Sequence, residues 1–268
     1  MSHSSAPNAC LTLDLESDWS IPNAPDRNPT FDLLDSYVAM ISTLDVPVSV
    51  FAVGRTIERH PEVIERLRSD LETEFHVHSY RHDMTKSYEF RDEVTASIDA
   101  YESFFGDSPA GYRAPQGNIV PSEWIELERA GFAFDASIFP SYRPGVYNNL
   151  TAPLTPYVPD VVDALLEIPF AAVPGLRIPV SMNYLKLLGS PFVETIKRVP
   201  LPDPLVFDSH LQDYWPTAFH DNLPNPKRAL MTRNIDRAPE MFMDFMEFLK
   251  AEGYEFTTVS EVHRRYGR

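Results

Sequence analysis

Two stretches of this 268-residue chain carry side chains of the kinds that hold metal ions and move protons. HVHSYRHD, residues 76 to 83, sets His78 and His82 four positions apart, and LDLESDW, residues 13 to 19, spaces Asp14, Glu16 and Asp18 by two. In an extended segment residues two apart share a face, so these carboxylates crowd together while Leu13 and Leu15 point the other way. Like charges on one face repel and are costly to bury without a cation. Two histidines plus one carboxylate make the ligand set of a catalytic metal with open positions, which leaves a second carboxylate free as a base. Neither stretch decides the matter alone. A histidine pair at this spacing also occurs on ordinary surface helices, and the acids also fit a solvated strand end, which is the reading adopted for Asp18.

Hydrophobic periodicity supplies the elements that would position these groups. CLTLDL, residues 10 to 15, reads as a buried first strand. Thr30 is placed to cap FDLLDSYVAMISTL, in which Leu33, Leu34, Val38, Ile41 and Leu44 recur at helical spacing, and VPVSVFAV (46 to 53) reads as a second strand. Pro61 opens a helix over PEVIERLRSDL, and EFHVH (74 to 78) is a strand that ends on the histidines. A helix over FRDEVTASIDAYESFF stops at Gly106. GYRA (111 to 114) is a strand, PSEWIELERAG a helix, and FAFDAS (132 to 137) a strand. Between about 138 and 165 the pattern lapses into a Pro/Tyr-rich insertion, after which LLEIPF (165 to 170) and PLVFDSH (204 to 210) read as strands. Pro239 opens the closing helix PEMFMDFMEFLKAEG, with a Phe and Met stripe suited to core packing, before YEFTTV. Such alternation implies an α/β fold with a parallel sheet, a barrel rather than an open sheet, and one domain over residues 1 to 268. In a barrel, the C-terminal ends of the strands and the loops after them build the site, which is where His78 and His82 fall.

Composition narrows the function. With 39 acidic and 23 basic residues the net charge is -16, so nothing here would neutralise the phosphates of a nucleic acid partner. The lysines are Lys86, Lys186, Lys197, Lys227 and Lys250, which leaves arginine as the main cation; acidity combined with Arg over Lys suggests adaptation to a salt-rich cytosol such as that of a halophilic archaeon. The lone Cys10 excludes an intramolecular disulfide and a cysteine-rich zinc site, and its apolar neighbours suggest a buried thiol. MSHSSAPNAC lacks the features of a signal peptide and no stretch reaches transmembrane length, so a cytoplasmic protein is expected.

LTLDLESDW, EFHVHSYRH, GYRAPQG, FDASIFP and DSHLQDYW occur in an order and approximate spacing that resemble the five motifs of the polysaccharide deacetylases with a NodB homology domain, carbohydrate esterase family 4. The resemblance covers roughly residues 10 to 260 and implies a distorted (β/α)7-type barrel. It implies that Asp14 is the catalytic base, that Glu16, His78 and His82 bind one divalent metal ion, Zn²⁺ first with Co²⁺, Mn²⁺ or Ni²⁺ as alternatives, and that Arg113 holds the base. Pro115 shapes the following turn and Gln116 offers a backbone N–H to the oxyanion. Asp135 would orient a catalytic His210. Departures from the family pattern are Glu16 in place of a consecutive aspartate, with Asp18 as a rival ligand, Gln116 in place of a tyrosine, and Leu-Gln-Asp after His210, with His220 close enough to compete.

The expected activity is therefore metal-dependent hydrolysis of N-acetyl groups from amino sugars of a polysaccharide or glycan precursor. The alternatives are a deacylase or imide hydrolase acting on a non-carbohydrate substrate, and a glycan-binding pseudoenzyme. Among other residues, His76 is expected to pack or hydrogen-bond beside its strand, His60 and His263 to lie at the surface on helix ends, and Trp124 to pack its helix. Tyr142, Tyr147, Tyr157 and Trp215 either line a sugar groove or pack the loop that holds them.

Overall fold

Runs of aliphatic and β-branched residues build a central parallel sheet in the computed structural model, which describes residues 6–16 and 28–267. Asp18 lies outside the described residues. The first strand, β1 (Asn8–Leu15), is buried along its whole length, as a parallel sheet covered on both faces requires. A 3₁₀ turn over Pro29–Leu33 leads into α1 (Leu34–Ser42), then come β2 (Val48–Ala52), α2 (Gly54–Arg59), α3 (Pro61–Asp70), β3 (Thr73–Val77) and α4 (Phe90–Phe105). Next are β4 (Gly111–Tyr112), α5 (Pro121–Arg129), β5 (Phe134–Asp135), a small hairpin of β6 (Tyr142–Arg143) and β7 (Tyr147–Asn148), and β8 (Leu166–Glu167). The chain continues through α6 (Met182–Leu188), α7 (Ser190–Ile196), β9 (Leu205–Ser209), α8 (Ala218–Asp221), α9 (Lys227–Met231), α10 (Ala238–Ala251), β10 (Glu255–Phe256) and α11 (Val259–Tyr266).

The main sheet runs β10-β1-β2-β3-β4-β5-β8, with β9 also paired to β1. Every pairing in it is parallel. Past β8, the Ala171 N–H donates to Val206 O of β9 at 2.9 Å, which brings the far end of the sheet back to its start. The result is a mostly parallel sheet curled into a distorted barrel with helices around it. Register does the positioning: Asp14 pairs with Phe51, Ala52 with Val77, Val77 with Tyr112, and Tyr112 with Asp135. The residues that follow these strand ends, Glu16, His78, Arg113 and His210, therefore converge on one rim.

The apolar stripe of α10 packs as its sequence requires. Met241, Phe242, Phe245, Met246 and Leu249 are buried, with Phe207 of β9 ringed by Phe242 and Phe245. Each such side chain stabilises the fold by about 1.5–3 kcal/mol, and Phe245→Ala would cost about 3–5 kcal/mol through the cavity it leaves. Pro61 and Pro239 lie in the first turns of α3 and α10, and Gly106 ends α4 at φ 83, as their chemistry dictates.

Several elements differ from the sequence reading. The strand expected over 132 to 137 is Phe134–Asp135, and LLEIPF contributes Leu166–Glu167, because near the site the backbone leaves the ladder to present side chains. Thr30 does not cap α1; it is buried in the 3₁₀ turn, and the helix begins at Leu34. His60 does sit between two helices, yet it is only half-buried rather than at the surface, with Phe31 at 5.1 Å and Asn28 Nδ2 at 3.1 Å. The helix α2 has too short an apolar pattern to announce itself. It starts at Gly54, where a Cβ would meet Tyr80 Cδ2 at 2.6 Å, so only glycine lets this turn pass under the histidine loop.

Candidate metal and catalytic centre

The histidine loop is held from below. Immediately after β3 the chain turns at Ser79 (φ 58), and Ser79 Oγ accepts from the His82 N–H at 3.0 Å. The backbone N–H groups of Tyr80 and Arg81 donate to the buried Glu93 of α4 at 3.0 and 2.5 Å, and Gly54 N and Arg55 N bond to Ser79 O and Tyr80 O. Glu93 was not foreseen; nothing in an isolated helix sequence shows that one carboxylate will satisfy a distant loop's donors. Its effect is to bring His78 and His82 to one place, with ring centroids 4.9 Å apart.

Glu16, one residue past β1, completes the cluster. Donor atoms of Glu16, His78 and His82 all lie within 4.8 Å of one another, and the three residues are buried. His78 Nδ1 is 2.9 Å from the carbonyl oxygen of Arg113, which can only accept, so Nδ1 carries the proton and Nε2 presents its lone pair. Burial pushes the His78 imidazole down to about 4, keeping it neutral as a ligand must be. Glu16 receives a hydrogen bond from Gln212 Nε2 at 2.8 Å and lies 2.7 Å from His82 Nε2. Although burial pushes the Glu16 carboxyl up, the charges of His82 and His210 outweigh it and hold the group well below the usual carboxylate range. Two imidazoles and one carboxylate, converging, supported by outer hydrogen bonds and facing a cavity, fit a divalent ion with open positions.

Asp14 stands beside this cluster. Its Oδ1 accepts from Arg113 Nη1 at 2.6 Å, and its Oδ2 lies 3.6 Å from His78 Nε2 and 3.9 Å from His210 Nε2. Burial raises its pKa, and the charges of Arg113, His78 and His210 together with the Arg113 hydrogen bond more than offset this, so Asp14 stays ionised. Arg113 is itself fully buried. Nη1 also donates to Thr12 Oγ1 at 2.9 Å and to Asp208 Oδ1 at 3.4 Å, and Nε donates to Ala136 O at 3.0 Å. Its guanidinium is sandwiched between Phe51, at 3.8 Å, and Phe170, at 4.3 Å. From Phe170 the column continues through Phe139, stacked at 3.8 Å, to Tyr147 at 6.0 Å. Asp208, which sequence reasoning passed over, is a third buried acid here; burial and the neighbouring Asp14 push it up to about 7. Its signal was available, since Asp208 is two residues before His210 at the end of a strand and so shares its face.

His210 is in place, but Asp135 does not orient it. Asp135 accepts from Ser137 Oγ at 2.5 Å and from Trp124 Nε1 at 2.8 Å, which gives Trp124 a role beyond packing its helix. The acid on His210 is Asp213, whose Oδ2 is 3.0 Å from Nδ1 and also accepts from the His210 backbone N–H at 3.0 Å. The physical reason is reach: the 3₁₀ turn Leu211–Asp213 folds an acid three residues away directly under the ring. Asp213 is in turn held by the fully buried Lys186 Nζ at 2.8 Å. Burial disfavours the imidazolium, yet Glu16, Asp213 and Asp208 outweigh it, and the His210 pKa lies well above its ordinary value. His220 does not compete: it is buried within α8, and its Nδ1 accepts from the Thr217 N–H at 3.2 Å.

These groups open on a cavity of about 390 Å³ whose lining includes Asp14, Glu16, His78, His82, Asp208 and His210. Gln116 reaches this wall with φ 59, and Pro115 lies behind it, opening the 3₁₀ turn Pro115–Gly117. Gly117 follows at φ 64, where a Cβ would meet Ser137 O at 2.6 Å, so the turn requires glycine. Of the four aromatic candidates Tyr147 lines the cavity, while Tyr142 is 56% exposed and Tyr157 and Trp215 pack elsewhere; Phe139, Phe170 and Tyr184 supply the other aromatic walls. His76 is buried with Nε2 3.0 Å from Glu74 Oε1, and Cys10 is buried, its thiol pushed up by burial.

Residues 26–134 match the sequence profile of the polysaccharide deacetylase family. That stretch contains His78, His82, Arg113, Pro115 and Gln116, and leaves Asp14, Glu16 and His210 outside it. No curated protein matches the sequence significantly. Solved structures of the same fold include Puue allantoinase, at a TM-score of 0.61 and 18% identity, covering 97% of this chain and 90% of that one. A putative polysaccharide deacetylase from Mycobacterium smegmatis gives 0.54 and 20%, covering 97% and 96%. A mutant of a CE4 family pseudoenzyme from Bacillus anthracis, with restored enzymatic activity, gives 0.56 and 14%, covering 97% and 69%. The fold is thus the distorted barrel of the polysaccharide deacetylase type. Among the described residues, no helix is long and apolar enough to cross a membrane.

Proposed function

We propose that this protein is a metal-dependent hydrolase that removes N-acetyl groups from amino sugars of a polysaccharide or glycan precursor. The observation that carries the reading is the position of Asp14, held by Arg113 on one side and facing the Glu16, His78 and His82 cluster and His210 on the other. Glu16, His78 and His82 would hold the ion, which supplies Lewis acidity toward a bound water and an amide carbonyl. Asp14, ionised beside Arg113, accepts a proton from the attacking water. The backbone N–H at Gln116 would face the oxygen that gains charge. His210, kept cationic by the acids around it and aligned by Asp213, donates a proton to the departing amine, so that acetate and a free amine leave. Tyr147 and Tyr184 offer flat faces to a sugar ring.

The test measures bound metal and acetate release together, on N-acetylated oligosaccharides, for the wild type and a His78→Ala/His82→Ala double variant. Loss of both in the double variant is expected. Metal binding with turnover of small amides or cyclic imides, and no acetate from any oligosaccharide, would move the protein to the deacylase or imide hydrolase reading. Sugar binding without metal uptake or turnover would make it a glycan-binding pseudoenzyme.

A further inference from the structure

Where β4 and β5 run out toward the site, a side chain takes over the hydrogen bonding of the sheet. Tyr112 pairs with Asp135, and the Ala136 N–H donates to Tyr112 O at 2.9 Å. In a parallel ladder the next bond would run from the Ala114 N–H to the Ala136 carbonyl. The chain makes a different choice. Ala136 O accepts from Arg113 Nε at 3.0 Å, and the Ala114 N–H donates to Ser137 Oγ at 2.8 Å. Since that oxygen is already an acceptor, the hydroxyl proton goes to Asp135 Oδ1, at 2.5 Å. An amide at position 135 would keep an oxygen for this proton, so the serine does not depend on the Asp135 charge. Ala114 and Ser137 are both buried, and the Ala114 N–H therefore depends on a protein acceptor.

Ser137 meets the following turn a second time. Its carbonyl oxygen lies against Gly117, where a Cβ would approach it to 2.6 Å. Between the two contacts are Pro115 and Gln116, the latter at φ 59. The Gly117 and Asn118 N–H groups close the turn on Ala114 O, at 3.0 Å, and on Pro115 O, at 3.1 Å. The N–H of Gln116, the donor assigned to the oxyanion, is thus carried by a turn whose entrance and exit both rest on Ser137. Ser137 is itself anchored from the far side. Ile168 N–H donates to Asp135 O at 2.8 Å, Ile138 N–H to Glu167 Oε1 at 2.9 Å, and Phe170 N–H to Ile138 O at 2.9 Å. A residue that aims another must be held by its own supports, and this one is.

We infer that Ser137 is a positioning residue of the catalytic centre: by taking the ladder bond of Ala114 it aims the Gln116 N–H and leaves the Ala136 carbonyl to Arg113, the cation that holds Asp14. This deepens the proposed function and rests on it. Both effects follow from the one acceptor that the Ala114 N–H uses. Without the hydroxyl, that N–H turns back to Ala136 O, the ladder lengthens by one bond, the turn shifts and Arg113 shares an acceptor.

The test uses the metal-loaded wild type, Ser137→Ala and Ser137→Cys. It measures kcat and KM for acyl release from N-acetylated and N-trifluoroacetylated glucosamine oligomers, metal affinity by competition with a chelator, and the unfolding midpoint. In Ser137→Ala, kcat on the N-acetyl substrate is expected to fall about 10- to 100-fold, the scale of a displaced oxyanion donor, with KM and metal affinity unchanged. The loss should be smaller on the trifluoroacetyl amide, whose fluorines already spread the charge of the tetrahedral oxyanion. Ser137→Cys keeps a side chain of similar shape with a weaker acceptor, so it should fall between, and it carries the same comparison if the alanine variant does not fold. A lowered unfolding midpoint with kcat unchanged would make Ser137 a core residue only and overturn the inference. Equal losses on the two amides, or a loss of metal affinity in step with kcat, would overturn it as well. In each of these cases the wild type is active and the proposed function stands. Release of no acyl group from either substrate by the wild type would overturn the proposed function and the inference together.

Discussion

The carboxylate of Asp213 lies 3.0 Å from Nδ1 of His210, while its other oxygen is 2.8 Å from the Nζ of Lys186. This local acid, and not Asp135, sets the ring orientation and leaves Nε2 to face the reacting groups. Asp213→Asn is therefore expected to lower the rate of acetate release by about 10²-fold, the usual scale for a misplaced general acid. Asp135→Asn should act mainly on stability, because Asp135 bonds Trp124 and Ser137 in the core. Steady-state rates and denaturant midpoints measured on both variants would separate them; a larger catalytic loss at Asp135 would return the orienting role to it.

Gln212 donates to Glu16 at 2.8 Å and lies outside the proposed ligand set. Gln212→Leu removes a hydrogen bond that aims the carboxylate and should weaken metal affinity about 10- to 100-fold while keeping the three proposed ligands, Glu16, His78 and His82. Competition against a chelator of known affinity measures this directly. An unchanged affinity would mean that Glu16 needs no outer support.

Asp135 and Glu167 sit on paired residues of β5 and β8, and both are fully buried. Burial first, and then the adjacent Asp135 charge, raise the Glu167 pKa well above its ordinary value of 4.5. A raised carboxyl pKa means that the folded state holds its proton where the unfolded chain has released it. The stabilisation is thus complete below pH 4.5 and is lost as pH rises through the folded value. Glu167→Gln, which keeps a donor and discards the charge, should flatten the decline in unfolding free energy measured from pH 5 upward by urea titration. A variant that declines as steeply as the wild type would place the pH dependence elsewhere.

With a net charge of -16 the folded surface repels itself, and salt screens that repulsion. The midpoint of thermal unfolding is expected to rise steadily with potassium chloride concentration, and the fold to weaken at low salt. A midpoint indifferent to salt would remove the inference of adaptation to a salt-rich cytosol.

Much of this protein is legible along the chain. The alternation of strand and helix, the buried β1, the Phe and Met stripe of α10 and the proline and glycine punctuation are local properties that propensity and periodicity express directly. The residue types and spacing of Asp14, Glu16, His78 and His82 are visible in the sequence as well, and the family resemblance adds Arg113 and His210; the structure places all six on one rim. What the tertiary structure alone decided are the partnerships. Glu93 satisfies a loop one helix away, Lys186 neutralises Asp213 across the core, and Asp208 joins Asp14 under one guanidinium. Periodicity reports which face a side chain takes on its own element. Which charge it will meet there depends on the closure of the sheet, which couples residues far apart in sequence and so leaves no local trace.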